Sequence, residues 1–489
     1  LILAFLWTCL YFFKLTPKNS SSATTPPLPP GPRPLPIIGN LHQLSPTPYR
    51  TMADFSRKYG PLISVKLGMI TTVVVSSADA AREMFQKHDL AVSSRKATAA
   101  VRAADGHDLH SMVWLPVNPK WRYLRKISTV QLFSAQRLNA GQSLRHDKVV
   151  EMAEYVGQCC KSGELVDIGK VAFTTQLNLL SNTFFSMDLA SHKSKDSGEF
   201  KDLVWKIVEE IGKPNLADFF PVVGFVSWVS VNRELMGIGN RFNEVFTKII
   251  RERLSDESRG YGDVLDTLIK IMKEDGSELS LDDIRHLLMD FFTAGTDTTT
   301  NTMEWAMTEL VRHPEKMVKA QDELERVLGK DTKSIQESDI SKLPYLQAVV
   351  KEILRMHPPT VFLVPRKADS DIELCGYLVP KNAQVFVNLW AISYDPNTWE
   401  NPEKFLPERF LDQDVDVKGQ DYGFIPFGAG RRACPGMTLT YRMLNLMLGT
   451  LIHGFNWKLE DGLSPDKLDM SEKFGVSIQK AKPLKLIPI

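Results

Sequence analysis

Cys434 stands in the run Phe427-Gly-Ala-Gly-Arg-Arg-Ala-Cys-Pro-Gly436, just ahead of an apolar helical stretch, Met437 to His453. A thiolate at the first turn of a helix meets unpaired N–H groups and partial positive charge, and both favour it. Gly428, Gly430 and Gly436 let the backbone approach a flat ligand and take positive φ. Arg432, two residues before the cysteine, is placed to meet an acidic group of that ligand. The residue types describe a loop presenting one sulfur to a planar, carboxylate-bearing cofactor. A lone cysteine is also commonly a small buried apolar residue, so the rest of the chain has to decide.

Trp121 and Arg125 are four apart and share a helix face. Ser280 can cap a helix, with Asp283 completing a weak capping box, and the apolar pattern then runs to Arg312, before His313-Pro314. That helix is about 48 Å long at 1.5 Å per residue. Its middle, Ala294-Gly-Thr-Asp-Thr-Thr-Thr300, carries a glycine and four threonines where strong helix formers are usual. Threonine hydroxyls bond back to the preceding turn, and Gly295 makes room. Glu352 and Arg355, three apart, share another helix face, and Pro407-Glu-Arg-Phe410 follows.

Phe427, Gly430, Arg432, Cys434 and Gly436 occupy every fixed position of a haem-binding signature. With the motifs above, the chain resembles the cytochrome P-450 superfamily over nearly its whole length. The resemblance implies haem b with its iron on Cys434, and haem contacts at Trp121, Arg125, Ala294, Arg366, Phe427, Arg432 and Gly436. It implies that Thr298 bonds dioxygen and that Asp297 helps relay protons. It assigns Glu352, Arg355 and Arg409 to a buried network bracing the haem loop. The threonine favours a monooxygenase over a peroxide-rearranging member. The implied fold is mainly α with a small β region, an α-rich domain around haem with a small sheet on the N-terminal side. Electrons would come from NADPH through the FAD and FMN of a separate cytochrome P-450 reductase, because the chain shows no Gly-x-Gly-x-x-Gly and no phosphate loop. A non-catalytic haem sensor is the reading from another class. Thr298, Asp297 and the anchor described next speak against it.

Length alone suggests about three domains, yet the motifs from Trp121 to Gly436 converge on one site, so one large catalytic domain, 37–489, is expected. A net charge of +1 gives no argument for nucleic acid. Five cysteines are too few and irregular for a disulfide framework or zinc site, which suits a reducing compartment. Residues 1–16 begin almost wholly apolar but fall short of the about 20 residues of a full span. With no small-residue cleavage site following, a retained anchor, complete or truncated upstream, is preferred to a secretory signal. Lys14 and Lys18 put the domain on the cytosolic face of the endoplasmic reticulum membrane. Residues 17–36 read as a polar and proline-rich linker or hinge. Leu62–Leu67 and Thr71–Ser76 read as a hairpin, joined by strand-like Ile372–Leu389 in a small sheet. Ser191–Glu199 and Ser255–Gly262 read as exposed loops.

The expected substrate pocket takes Asp290, Ala294, Val361, Phe362, Leu363 and Phe474. Arg102, Asp105, His107 and Asp108 add polar groups from a neighbouring loop, with plain solvent exposure as the alternative. Trp114–Val117, Asp167–Lys170, Ala172–Thr175, Gly212–Asn215, Asp416–Gly419 and Lys482–Ile489 resemble a plant group. That group contains geraniol hydroxylases and the tyrosine hydroxylases of betalain pigment synthesis. His357–Leu363 and Pro365–Asp369 look nearer the tyrosine hydroxylases, which implies L-tyrosine to L-DOPA, with further oxidation to the quinone open. A monoterpene alcohol is the alternative. Ala433 departs from the isoleucine or valine common beside the cysteine, without removing a ligand.

Overall fold

A computed structural model describes residues 26–489, apart from 194–195, 213–214, 221–236, 238, 240–242, 256–259, 331, 333, 414 and 461, and gives only the backbone of 196–202. The expected anchor and the first part of the linker lie outside these residues, as do parts of the Gly212–Asn215 run and of the Ser255–Gly262 loop. Among the described residues no helix is long and apolar enough to cross a membrane.

The proline-rich run lies along a sheet edge. Prolines have no N–H to offer, but Pro30 accepts from the Ser64 N–H at 2.9 Å and Pro27 from the Leu378 N–H at 2.8 Å. Leu62–Leu67 pairs antiparallel with Ile70–Val75, which runs parallel to Gln384–Val387. Arg366–Lys367 completes four strands. Alternation sorts the side chains. Leu62, Val73 and Val75 pack on Ala80, Ala81 and Met84 of one helix, while Ile63, Val65 and Val74 pack on Tyr49 and Met52 of another.

Helices make up most of the remainder. The long helix runs Leu281–Arg312 and opens with both halves of the Ser280–Asp283 capping box. Its threonines bond back as expected: Thr296 Oγ1 to the Phe292 carbonyl at 2.6 Å, Thr298 to Ala294 at 2.8 Å and Thr302 to Thr298 at 2.9 Å. Gly295 lets the helix Ile168–Phe185 come close, since a Cβ there would lie 3.0 Å from Leu180 Cδ1. The apolar helix after the cysteine runs Met437–Gly454 and buries Met443, Leu444, Met447 and Leu451 in the largest core cluster. One expectation fails. Ser191–Glu199 is not all loop, because a helix starts at Asp196 and runs to Gly212. It is held from downstream, where Val204, Ile207 and Val208 enter the core beside the long helix.

Glu352 and Arg355, on helix Pro344–Met356, are fully buried. Arg355 grips Glu352 with two bonds of 2.8 and 2.9 Å and donates to the Ser393 carbonyl at 2.7 Å. Arg409 Nε and the Leu406 N–H reach the same Glu352 oxygen at 3.1 and 2.9 Å. One carboxylate therefore ties a helix to the segment leading into the cysteine loop. Removing one member of a buried charge set leaves the others uncompensated, at about 3–5 kcal/mol. Glu352→Ala is expected to lower stability by that amount and to cut the yield of haem-loaded protein. A thermal midpoint equal to that of the wild type would contradict it.

Candidate active site

A cavity holding about 1840 Å³ of atom-free space, its open mouth included, lies between the long helix and the cysteine loop. Cys434, Phe427, Gly436, Trp121, Arg125, Arg366 and Arg432 line it together with Ala294 and Thr298. Cys434 is open to the cavity alone, deep in the protein. Burial pushes its thiol up, and the N–H groups of Gly436 and Met437 and the charge of Arg125 oppose that shift. Both N–H groups belong to the start of the helix, where free donors were expected. The loop is closed by the Cys434 N–H on the Phe427 carbonyl at 2.9 Å. Gly430 has φ of +70°, and a Cβ there would lie 2.3 Å from Asp89 Oδ1.

Four guanidinium groups converge on this end. Arg125 donates to the Ala433 carbonyl at 2.7 Å, Arg366 to Ala429 at 3.2 Å and Arg432 to Met112 at 3.0 Å. Arg95, missed from the sequence, donates to the Val364 and Pro365 carbonyls. Burial pushes Arg432 down to about 9, helped by repulsion from Arg366 and Arg125. Arg95 is pushed down in the same way, by burial and then by Arg366 and Arg432. The carboxylate of Asp89 meets Arg366 at 3.3 Å and Arg431 at 2.8 Å. The Nε atoms of Arg95 and Arg366 are buried without a partner. Such an excess of buried cations with unused donors fits a ligand carrying two carboxylates. Haem propionates match that donor set. Trp121 differs from expectation in detail: its Nε1 donates to the Met112 carbonyl at 3.0 Å, and its ring lies under the Arg432 guanidinium.

The distal side divides the expected pocket. Asp290, Ala294 and Leu363 line the cavity. Val361, Phe362 and Phe474 do not; they pack behind it with Tyr49 and Ile63. Leu363 takes φ of +48°, uncommon for a bulky side chain, and its neighbours divide: Thr360 and Val364 line the cavity with it, while Val361 and Phe362 join the other core. Of the polar loop, Arg102 and Asp105 are exposed, whereas His107 is buried. His107 Nε2 meets Asp290 at 3.1 Å, and its Nδ1 lies 2.9 Å from His286 Nδ1. Ser111 Oγ bonds both Asp290 oxygens, at 2.7 and 2.9 Å. Burial, the largest cause, pushes His286 down to about 3, and the nearby Arg285 adds to it. Asp297 points away from the cavity. It accepts from Ser477 Oγ and from Gln479 Nε2 at 3.0 Å, and burial raises its carboxyl. Arg95 and Asp89 carry no local motif, so only the folded chain reveals them, whereas His107 is among the polar residues read from the loop.

A cysteine at a helix start, under a deep cavity ringed by arginines, defines a haem-thiolate site. Residues 29–487 match the family described as Cytochrome P450, and the chain belongs to that family. A solved zebrafish cytochrome P450 with progesterone superposes with a TM-score of 0.76 at 26% identity, covering 90% of this chain and 99% of that one. Cytochrome P450 monooxygenase 76AD131 of Lophophora williamsii is 73% identical over 100% of this chain and 98% of its own length. Cytochrome P450 76AD1 of Beta vulgaris is 56% identical over the same shares. Geraniol 8-hydroxylase of Catharanthus roseus is 49% identical over 96% and 95%. The protein is a cytochrome P450 monooxygenase, using haem whose iron is held by the Cys434 thiolate and electrons from a reductase. Cys434→Ser is expected to abolish the thiolate signature of the reduced carbonyl complex. Its retention in the absorption spectrum would overturn the ligand assignment.

Proposed function

We propose that this monooxygenase hydroxylates L-tyrosine to L-DOPA in betalain pigment synthesis. The observation that carries the reading is the resemblance of particular runs, His357–Leu363 and Pro365–Asp369, to tyrosine hydroxylases. The two geraniol 8-hydroxylases, at 49% and 46% identity, are less similar to this chain than relatives at 73% and 56%. Hydroxylation of geraniol or another terpenoid is the second reading, favoured by a 46% identity to a drimenol monooxygenase of Persicaria hydropiper and by the largely apolar cavity wall.

The haem, when bound, supplies oxygen activation. The chain's own residues position the reaction. Arg125, Arg366 and Arg432 take the propionates, joined by Arg95; Trp121, its N–H on the Met112 carbonyl, supports Arg432 with its ring, while Ala294 and Gly295 leave space beside the haem. Thr298 faces the cavity with its hydroxyl held on the Ala294 carbonyl, so it can turn to bond oxygen. Asp297 is a neighbouring proton reservoir, since burial favours its protonated form and half-buried Gln479 links it toward solvent. Glu352, Arg355 and Arg409 brace the loop from behind.

Domain limits of 1–16, 17–36 and 37–489, anchorage in the endoplasmic reticulum membrane and docking of a membrane-bound reductase belong to the same proposal. Exposed Ile37, Ile38, Met69 and Leu216 support a membrane surface as partner. They come together where the Gly68 N–H meets the Ile38 carbonyl at 3.3 Å and the Met69 N–H meets Phe219 at 2.9 Å.

Titration of the ferric protein with L-tyrosine, L-DOPA and geraniol tests the substrate. A saturable low-to-high-spin change with L-tyrosine is expected, and a response to geraniol alone would replace this reading with the terpene one. Thr298→Ala is expected to keep haem but to divert most electrons to peroxide. Unchanged coupling of NADPH use to product would remove Thr298 from the relay.

A further inference from the structure

Asp290 is the only carboxylate lining the cavity among the described residues. It is nine-tenths or more buried, yet no described lysine or arginine pairs with it. The nearby cations are committed elsewhere. Arg285 meets Asp105 at 2.8 Å and Asp282 at 3.1 Å, and Lys120 meets Asp283 at 2.7 Å. The partners of Asp290 are the Ser111 hydroxyl, His107 Nε2 and, at 3.4 Å, the Val113 N–H.

These partners need not carry charge. The two Nδ1 atoms of His107 and His286 share a single proton. If neutral His286 donates it, His107 accepts there and presents its Nε2–H to Asp290 while staying neutral. The His286 Nε2 atom, buried without a partner, is then the ring's bare acceptor. The arrangement fixes the carboxylate toward the cavity without cancelling its charge. Two or three donors leave part of its about four lone-pair sites free. A buried anion of this kind next to an apolar ligand is costly, and a cationic ligand removes the cost.

The reach is suitable. Asp290 lies eight residues before Thr298 on one helix, about 12 Å along the axis. Between them the wall is Phe291, Ala294 and Gly295, faced by Val113 and Leu180. An aromatic ring against the small residues, with a short carbon arm, would bring an ammonium group to Asp290. Arg125 and Arg366 bond the cysteine loop, and Arg432 bonds the Met112 carbonyl, in the same peptide unit as the Val113 N–H that reaches Asp290, and also the Ser93 and Leu115 carbonyls; none of the three pairs with Asp290. The Asp290 end thus selects for a positive head group more than for a free carboxylate.

We propose that Asp290, oriented by His107 and Ser111, is the specificity-determining anchor for a protonated primary amine, so that the site takes phenolic aryl-alkyl amines and amino acids in preference to neutral alcohols. This rests on the phenolic-substrate reading above. The full-length ferric protein is titrated, by haem spectrum and by calorimetry, with L-tyrosine, tyramine, 2-(4-hydroxyphenyl)ethanol and 3-(4-hydroxyphenyl)propionate. Tyramine and L-tyrosine are expected to bind roughly tenfold or more tighter than the alcohol and the acid, as a charge-assisted bond gives. In Asp290→Asn the amine-to-alcohol ratio is expected to fall toward one, and in Asp290→Glu to recover in part. Equal affinity of the wild type for amine and alcohol overturns the anchor, as does an unchanged ratio in Asp290→Asn. The wild-type ratio decides alone if the variants do not fold. Phenols binding without head-group preference would overturn the anchor and leave the phenolic reading standing. Geraniol binding with no response to any phenol would overturn both.

Discussion

A sulfur anion deep inside a protein is costly, and the fold is arranged around meeting that cost. Burial favours the Cys434 thiol, while two helix-start N–H groups, Arg125 and eventually the iron favour the thiolate. The N–H groups are available because Pro435-Gly436 opens the helix without a side-chain cap, so the sulfur serves in place of one. Glycine at 430 lets Asp89 approach the same loop, and Asp89 in turn holds Arg366 and Arg431. The cradle is a set of charges that depend on each other, with Glu352 holding the outer layer.

The parts written as local motifs were legible. The cysteine loop, the capped long helix with its back-bonding threonines, the Glu352–Arg355 pair and the hairpin all follow from residue type at short spacing. What failed was what depends on distant contact. Arg95 and Asp89 look ordinary in the chain; their roles come from elements more than two hundred residues away. Val361, Phe362 and Leu363 read as one apolar wall, but only Leu363 lines the cavity and the first two join another core. Phe474 joins them by stacking on Tyr49 at 6.0 Å. For His107, read as either a pocket-loop group or a solvent-facing one, the partners His286 and Asp290 both come from the long helix, far away in the chain.

Asp297 shows how an assignment by resemblance changes with geometry. The residue sits in the expected groove sequence, but its carboxyl faces the C-terminal hairpin, not the cavity. Thr298 lines the cavity while Asp297, the next residue on the helix, is held on Ser477 and Gln479 instead. Contact between the acid and the reaction space therefore requires either rotation or water, and Ser477 and Gln479 hold the resting orientation.

The sheet has a consequence for the timing of synthesis. Thr72 pairs with Gln384, 312 residues later in the chain. At about 5–20 residues per second, the first two strands leave the ribosome roughly 15–60 s before their third partner exists. Arg366, one of the cradle arginines, sits on the fourth strand of that sheet. Loop closure over such a distance is slow to find. Cofactor capture is thus a late event in the birth of this protein, and for most of its synthesis the edge of Ile70–Val75 that Gln384–Val387 will pair with stays open.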